Sequence, residues 1–470
     1  MTAAAHTDPA ADTQGSAAFD RRLLGPMVLG SILNPVNSSI VAVALVPIAT
    51  AFGAPASQTA WLVSSLYLAT SIGQPLAGRL VDTFGPRRLM LAGAALTGLA
   101  GLLGALAPNL GVLVAARVVL GFGTCAGYPA SMYLIRSEAE RTGRASPAGV
   151  LTLLSVATQT IAVIGPTLGG LLIGLGGWRA TLAVNIPLAL ACFVLGWIVL
   201  PRRTALGEEA RGPRPGIDVV GIVLFAGTLV SLLLFLMDVR LERLWLPAAT
   251  LVTGGLFVWR ELRAAEPFID VRVLGGNRPL LVTYARSLLA ATVSYSFLYG
   301  FTQWLEDGRG LSPSVAGLVL LPVFAVGIVG ATLTGRRPEI RAKLMVAAAG
   351  QVVACALLLL IGDGTALWVI IGVAVVMGVP QGLGSLAVQN TLYHQADPAR
   401  IGASAGLLRT FFYLGAITSS AATGAFFGDR ADTSGLHHLA WFALGAAALF
   451  LLVTVADRSL GRVDRAARGE

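Results

Sequence analysis

The chain has 470 residues, 55% of them hydrophobic and only 12% charged, with a mean hydropathy of +0.77. Soluble domains carry about 25% charge, so this balance excludes an ordinary soluble protein and fits a chain that lives in lipid. The net charge of +9 would suit a nucleic-acid binder, but the basic residues follow a membrane topology instead, and no nucleic-acid partner is expected.

A bilayer core of about 30 Å needs roughly 20 apolar residues per helix. The sequence offers fourteen such runs, near residues 25–50, 58–80, 88–107, 109–132, 147–174, 179–200, 218–238, 244–262, 279–304, 312–334, 342–361, 365–390, 401–426 and 438–456. The expected fold class is therefore all-α and integral to the membrane, with the lipid bilayer as its first partner. Loops on the side of the N-terminus hold most of the arginines, Arg87, Arg88, Arg202, Arg203, Arg336 and Arg337 among them. The opposite loops hold only Arg179, Arg240, Arg243, Arg309 and Arg430, so the positive-inside rule puts both termini in the cytoplasm of a multi-pass plasma-membrane protein. Residues 1–20, rich in Ala, Thr and Asp without an apolar core, read as a disordered cytoplasmic tail and not as a cleaved signal. Cys125, Cys192 and Cys355 fall inside spans without paired spacing and read as packing residues.

The first span keeps Asn34, Asn37 and Ser38 inside an apolar helix, which turns such groups toward a cavity or a neighbour. The second passes through Tyr67 and Gln74, both candidates to line that cavity. It leads into Gly78-Arg-Leu-Val-Asp82-Thr-Phe-Gly85-Pro-Arg87-Arg88, where Gly85 and Pro86 make a turn and Asp82 stands within reach of the two arginines. This passage resembles the signature loop of the major facilitator superfamily, Gly-x-Leu-x-Asp-x-x-Gly-x-Arg-Arg, with Gly78, Leu80, Asp82, Gly85, Arg87 and Arg88 all matching. The first span, Asn37-Ser-Ser-Ile-Val-Ala-Val-Ala-Leu, in turn resembles the first helix of the fourteen-helix drug:proton antiporter branch, whose consensus opens on an acidic residue. Asn37 stands in place of that acid, and an amide does not take up and release a proton near neutral pH.

Arg117-Val-Val-Leu-Gly121 on the fourth span is similar to the superfamily's Arg-x-x-x-Gly pattern, and places a charge about 12 Å deep at 1.5 Å per residue. On the fifth, Gly165-Pro166-Thr-Leu-Gly169-Gly170 resembles the exporter motif Gly-x-x-x-Gly-Pro-x-x-Gly-Gly, with Ile161 in place of its leading glycine. A proline among glycines makes a bendable, closely packed helix. The hydrophilic stretch 201–217 separates the halves. Two further spans follow, and Glu261-Leu-Arg-Ala-Ala-Glu-Pro267-Phe-Ile-Asp270 resembles the segment that closes the inserted helices of the fourteen-helix branch. The ninth span carries Arg286, Tyr295, Tyr299 and Gln303, the twelfth Gln381 and Asn390, and the thirteenth Arg409, all candidates for the substrate cavity.

The resemblance implies two bundles of six helices, residues 21–200 and 279–457, with inserted helices and connector at 218–278 and a basic cytoplasmic tail at 458–470. It also implies a secondary transporter, working by alternating access, that exports small amphiphilic compounds or drugs against protons. No acidic residue falls at mid-span whereas Arg117, Arg286 and Arg409 do, which points to neutral or anionic cargo. The remaining titratable groups, Asp82, Asp238, Glu306, Asp307 and Asp363, are peripheral. A proton-independent facilitator or importer of an anionic metabolite is the second reading, and a non-transporting receptor or scaffold the third. No phosphate loop, His-Glu-x-x-His or Cys/His cluster is present, so no enzyme activity, cofactor or metal is expected.

Overall fold

A computed structural model describes residues 19–142, 148–201, 218–237, 241–265, 267–269, 271–334, 339–396 and 401–468. Among the described residues every regular element is helical. The first span is bent: α1 (Leu24–Ala42) and α2 (Leu45–Phe52) meet at 60°. Pro47 has no N–H to give the Val43 carbonyl, so the helical ladder stops there. α3 (Ala56–Phe84) then runs the whole length of the second span and the signature loop, which Gly85 alone, at φ 84°, separates from α4 (Pro86–Ala105). Only glycine takes that backbone freely, and Pro86 suits the first position of the next helix.

α5 (Leu110–Thr124) starts at Asn109, whose side chain accepts the Val112 N–H at 3.0 Å, and α6 (Gly127–Thr142) continues it. α7 (Ala148–Ala183) leaves helical geometry at Gly176 and Gly177, and a 46° bend leads to α8 (Asn185–Val199), where Pro187 again deprives a carbonyl of its donor. α9 (Val219–Met237), α10 (Trp245–Arg263) and the short α11 (Val271–Gly276) follow. α12 (Arg278–Tyr295) continues in wide π-helical turns over Ser296–Phe301 and Trp304–Gly308. The chain closes with α13 (Pro313–Thr334), α14 (Ile340–Leu358), α15 (Leu367–Gln395), α16 (Ile401–Phe427), α17 (Thr433–Ala456) and α18 (Leu460–Arg468).

Each apolar run of the sequence holds a helix or a bent helix pair. By length and composition six helices suffice to cross a bilayer, or eight when each bent pair counts as one span. α3, α12 and α16 fall short because they bury polar groups, such as Ser64, Ser65, Ser71 and Gln74 on α3, and Ser419 and Ser420 on α16. Neighbouring helices cover these polar groups, which is where polar side chains belong in a membrane bundle.

α1 packs on α7, α3 on α5, and α4 on α5 and α8. In the second half α13 packs on α15, α14 on α15 and α17, and α12 on α16. The two largest contacts between the halves are α3 with α16 and α7 with α13, while α9 and α10 pair with each other and α9 leans on α3 and α16. On the face opposite the signature loop the junction is sealed by hydrogen bonds. Ser57 N–H donates to the Gly428 carbonyl (3.4 Å), Ser420 Oγ to Ala60 (2.9 Å), Thr167 Oγ1 to Gly317 (3.2 Å) and Ser314 Oγ to Gly170 (3.0 Å).

Candidate functional site

Near the middle of the junction four tyrosines meet. Tyr67 of α3 stacks on Tyr413 of α16 (centroids 5.4 Å) and meets Tyr295 of α12 edge-on (5.2 Å), and Tyr295 stacks on Tyr299 (5.5 Å). The Tyr299 hydroxyl gives its hydrogen to the Ser38 carbonyl at 3.0 Å, so in the 2.9 Å contact between Tyr67 and Tyr299 it is Tyr67 that donates. One chain of hydroxyls therefore crosses from α3 through the second half to α1.

Two guanidinium groups flank this cluster. Arg117 on α5 is 2% exposed; its Nε donates to the Leu62 carbonyl at 2.9 Å and a terminal nitrogen reaches the Asn37 carbonyl at 3.5 Å. Its other terminal nitrogen is buried without a partner. Arg409, half-buried on α16, lies over Tyr128 (4.9 Å) and Phe412 (5.8 Å). Neither arginine has an acidic partner among the described residues. Aromatic faces hold a guanidinium by cation–π attraction without neutralising it, so the centre offers flat apolar surface, hydroxyls and net positive charge.

Asn37 points away from it. Its Nδ2 donates to Asn185 Oδ1 (2.6 Å) and to the Leu33 carbonyl (2.8 Å), while Asn185 Nδ2 returns a bond to Asn37 Oδ1 at 2.8 Å. The two amides saturate each other between α1 and α8, with no acid among them. Asn34 donates to Thr124 Oγ1 at 3.1 Å and Ser38 Oγ to the Asn34 carbonyl at 2.9 Å. Gln74 is 3% exposed and its amide meets the Tyr413 hydroxyl. Gln303 is buried at 4%, and Gln381 accepts from Ser294 at 2.8 Å within the second half. Asn390 is exposed on α15, apart from the cluster.

Arg286 also lies elsewhere: fully buried in the second half, it pairs with Asp457 at the end of α17. Burial raises the Asp457 carboxyl, but hydrogen bonds from Arg286 and Ser459 outweigh it and hold the group below the usual 3.8. A carboxylate lowered on folding stabilises the fold above its unfolded value. That contribution is expected to persist at neutral pH and to vanish as pH falls below about 4 through the lowered value, a loss that thermal melts against pH will record and that Asp457→Asn will remove.

The fifth-span motif is wedged between the halves. A Cβ at Gly165 would overlap Ser39 of α1, and one at Gly169 would come within 2.9 Å of the Ile40 carbonyl oxygen. On the other side a Cβ at Gly170 would meet Ser314 Cα of α13 at 2.6 Å, and the Pro166 carbonyl abuts Gly317. In the signature loop, Arg87 donates to the Trp197 carbonyl at 2.7 Å and lies over its ring, tying α4 to α8, and Arg79 donates to the Pro267 carbonyl of the α10–α11 connector. Gly78 is partly buried and Arg88 exposed; the side chain of Asp82 lies outside the described residues. Sequence reasoning missed Tyr128, Phe412 and Tyr413. For Phe412 and Tyr413 the signal was the aromatic run Phe411–Tyr413 just after Arg409, which a thirteenth apolar helix disguises as packing.

The family model for the Major Facilitator Superfamily matches residues 27–420. The chain belongs to the major facilitator superfamily. It is accordingly a secondary transporter and not an enzyme. Among its relatives, an uncharacterized MFS-type transporter, YwoD of Bacillus subtilis, is 32% identical over 85% of this chain and 89% of its own. The multidrug efflux pump LfrA of Mycolicibacterium smegmatis is 29% identical over 86% and 80%, and the lincomycin resistance protein of Streptomyces lincolnensis 29% over 91% and 90%. The nucleoside transporter NupG shares the fold at a TM-score of 0.62, covering 93% of this chain and 99% of its own with 10% identity. In this superfamily member Tyr67→Phe, which deletes the Tyr67–Tyr299 hydrogen bond between halves, is expected to shift the closed-to-open ratio about fivefold, the worth of one neutral hydrogen bond of about 1 kcal/mol. The distance between spin labels placed across the sealed face reads that shift.

Proposed function

We propose that this protein exports small amphiphilic compounds, neutral or anionic, by alternating access in exchange for protons. In this reading the chain spans the cytoplasmic membrane fourteen times, as two six-helix bundles with two inserted helices, and both termini and the signature loop lie in the cytoplasm. The arginine-flanked tyrosine centre is the observation that carries the cargo class: four rings and two unneutralised guanidinium groups, contributed by both halves. Relatives named for multidrug efflux and lincomycin resistance support export. The expected signature loop and fifth-span motif supply a gate at one face and a bendable, tightly packed contact between halves.

The test is uptake into everted vesicles of three size-matched amphiphiles, cationic, neutral and anionic. Preference for the neutral and anionic probes, with anion transport falling roughly tenfold in Arg409→Gln, is the expected result, since a buried charge-assisted bond is worth about 1.5–3 kcal/mol. Preference for the cation, unchanged by that substitution, overturns the cargo assignment.

One observation favours a second reading. The Asn37–Asn185 pair places two amides and no carboxyl group between α1 and α8, as a facilitator of an anionic metabolite moving down its own gradient would permit.

A further inference from the structure

A proton-coupled cycle needs a group that changes protonation between states, and the saturated amide pair does not supply one. Of the peripheral acids, Asp238 and the side chain of Asp82 lie outside the described residues. Asp307 accepts the Ala431 N–H at 2.9 Å and pairs with Arg430 at 3.6 Å, and Asp363 accepts from Thr433. Glu261, on the signature-loop side, accepts the Ile269 N–H at 2.9 Å. Glu306 is different: it is 6% exposed, and neither of its carboxylate oxygens has a hydrogen-bond partner.

Among the described residues the surroundings offer nothing to neutralise an ionised Glu306. Its π-helical turn packs against α13, α17 and the preceding Ser296–Phe301 turn. α13 carries no titratable side chain. On α17, His437 is bonded to the Ile361 carbonyl (2.8 Å) and His438 lies by the Phe426 ring. Tyr299, on the preceding turn, is spent on Ser38. Arg309 donates to the Gly362 and Asp363 carbonyls and Arg430 to Asp307, while Asp429 and Asp432 occupy the loop between α16 and α17. Asp307, the next residue, adds charge of the same sign. An isolated carboxylate in such a place is expensive and a neutral acid is not, and π-helical turns recur at functional sites.

We propose that Glu306 is a proton-binding latch of the face opposite the signature loop, holding a proton while that face is closed and surrendering it when the face opens. On opening, the carboxylic O–H breaks heterolytically: the proton passes to water on that side and a hydrated carboxylate remains. Closure reverses the step. Because the coupling is reciprocal, acid on that side favours closure and alkali favours opening. Taking its proton from that side and returning it there, the latch moves no net proton across the membrane; it lets acid on that side return the emptied carrier to the state closed there. The inference goes beyond the antiport reading, and its test needs no substrate, so failure of antiport and failure of the latch are separate results.

The experiment uses the full chain in nanodiscs, with the three buried cysteines replaced by alanine and spin labels at Gln58→Cys and Asp429→Cys, both exposed and on opposite sides of the seal. Distances are recorded between about pH 5 and about pH 9, a window spanning ordinary and raised carboxyl titrations. With Glu306 present the long-distance population is expected to grow with pH. Glu306→Gln, which mimics the protonated acid in size and shape, stays short throughout, and Glu306→Asp restores the response. Asp307→Asn leaves it in place. A Glu306→Gln chain that opens with pH as fully as the parent overturns the latch, as does a parent that shows no opening across the range.

Discussion

Replacing Gly317 by valine is expected to lower transport roughly fivefold to a hundredfold while leaving the protein folded, since overpacking costs about 1–3 kcal/mol and each 1.4 kcal/mol is about a factor of ten. A Cβ at this position would stand 2.6 Å from the Pro166 carbonyl oxygen and 3.0 Å from the Thr167 nitrogen. Both are backbone atoms of α7, which do not move aside as a side-chain tip would. The contact exists only while the two halves meet, so the penalty falls on the closed state and spares each half's own core. The Thr167–Gly317 hydrogen bond is lost with it. Gly170→Val, facing Ser314 from the other side of the same contact, is expected to act alike. Gly330→Val, further along α13 with nothing within 4 Å of its Cβ, is the control that leaves transport unchanged. Vesicle transport beside size-exclusion profiles measures both halves of the statement.

Asp457→Asn is expected to destabilise the protein by about 3 kcal/mol, because it strands the Arg286 charge in a fully buried site. Arg286→Met is expected to cost less. The carboxylate it leaves behind is 11% exposed and still accepts the Ser459 N–H at 2.8 Å. The double variant is expected to recover most of the loss, since an apolar replacement of a buried ion pair is often nearly neutral. Melting the four proteins as a double-mutant cycle gives the coupling; additive losses would mean that the pair is not a unit in the folded state.

What the sequence made legible was local. Gly85 and Pro86 mark a break between two helices whatever surrounds them, because the constraint lies in their own backbones. The runs of apolar residues likewise locate helices, although Pro47 and Pro187 bend two of them where a hydropathy profile shows one straight span or an even boundary. Missing from the reading was what depends on distant chain. The depth of Arg286 was evident, yet its partner lies just past the last span, and only the packing of α12 on α17 decides that the charge serves the second half and not the cavity. The absent acid at Asn37 was legible too, whereas the amide that completes it, Asn185, lies 148 residues away and is found only when α8 is laid against α1. Tyr413 and Phe412 look like lipid-facing bulk in an apolar helix until α16 is laid against α3. Glu306 stood among five peripheral acids, and burial without a hydrogen-bond partner sets it apart.

The central claim is exchange of a compound for protons. The most direct measurement acidifies the lumen of everted vesicles containing the protein, follows it with a pH-sensitive dye, and adds the neutral and anionic amphiphiles in turn. Exporter-dependent release of luminal protons on adding a compound that is itself transported is the predicted result. Transport of the same labelled compound with no proton movement would contradict the claim and make the protein a facilitator built around its arginine and tyrosine centre.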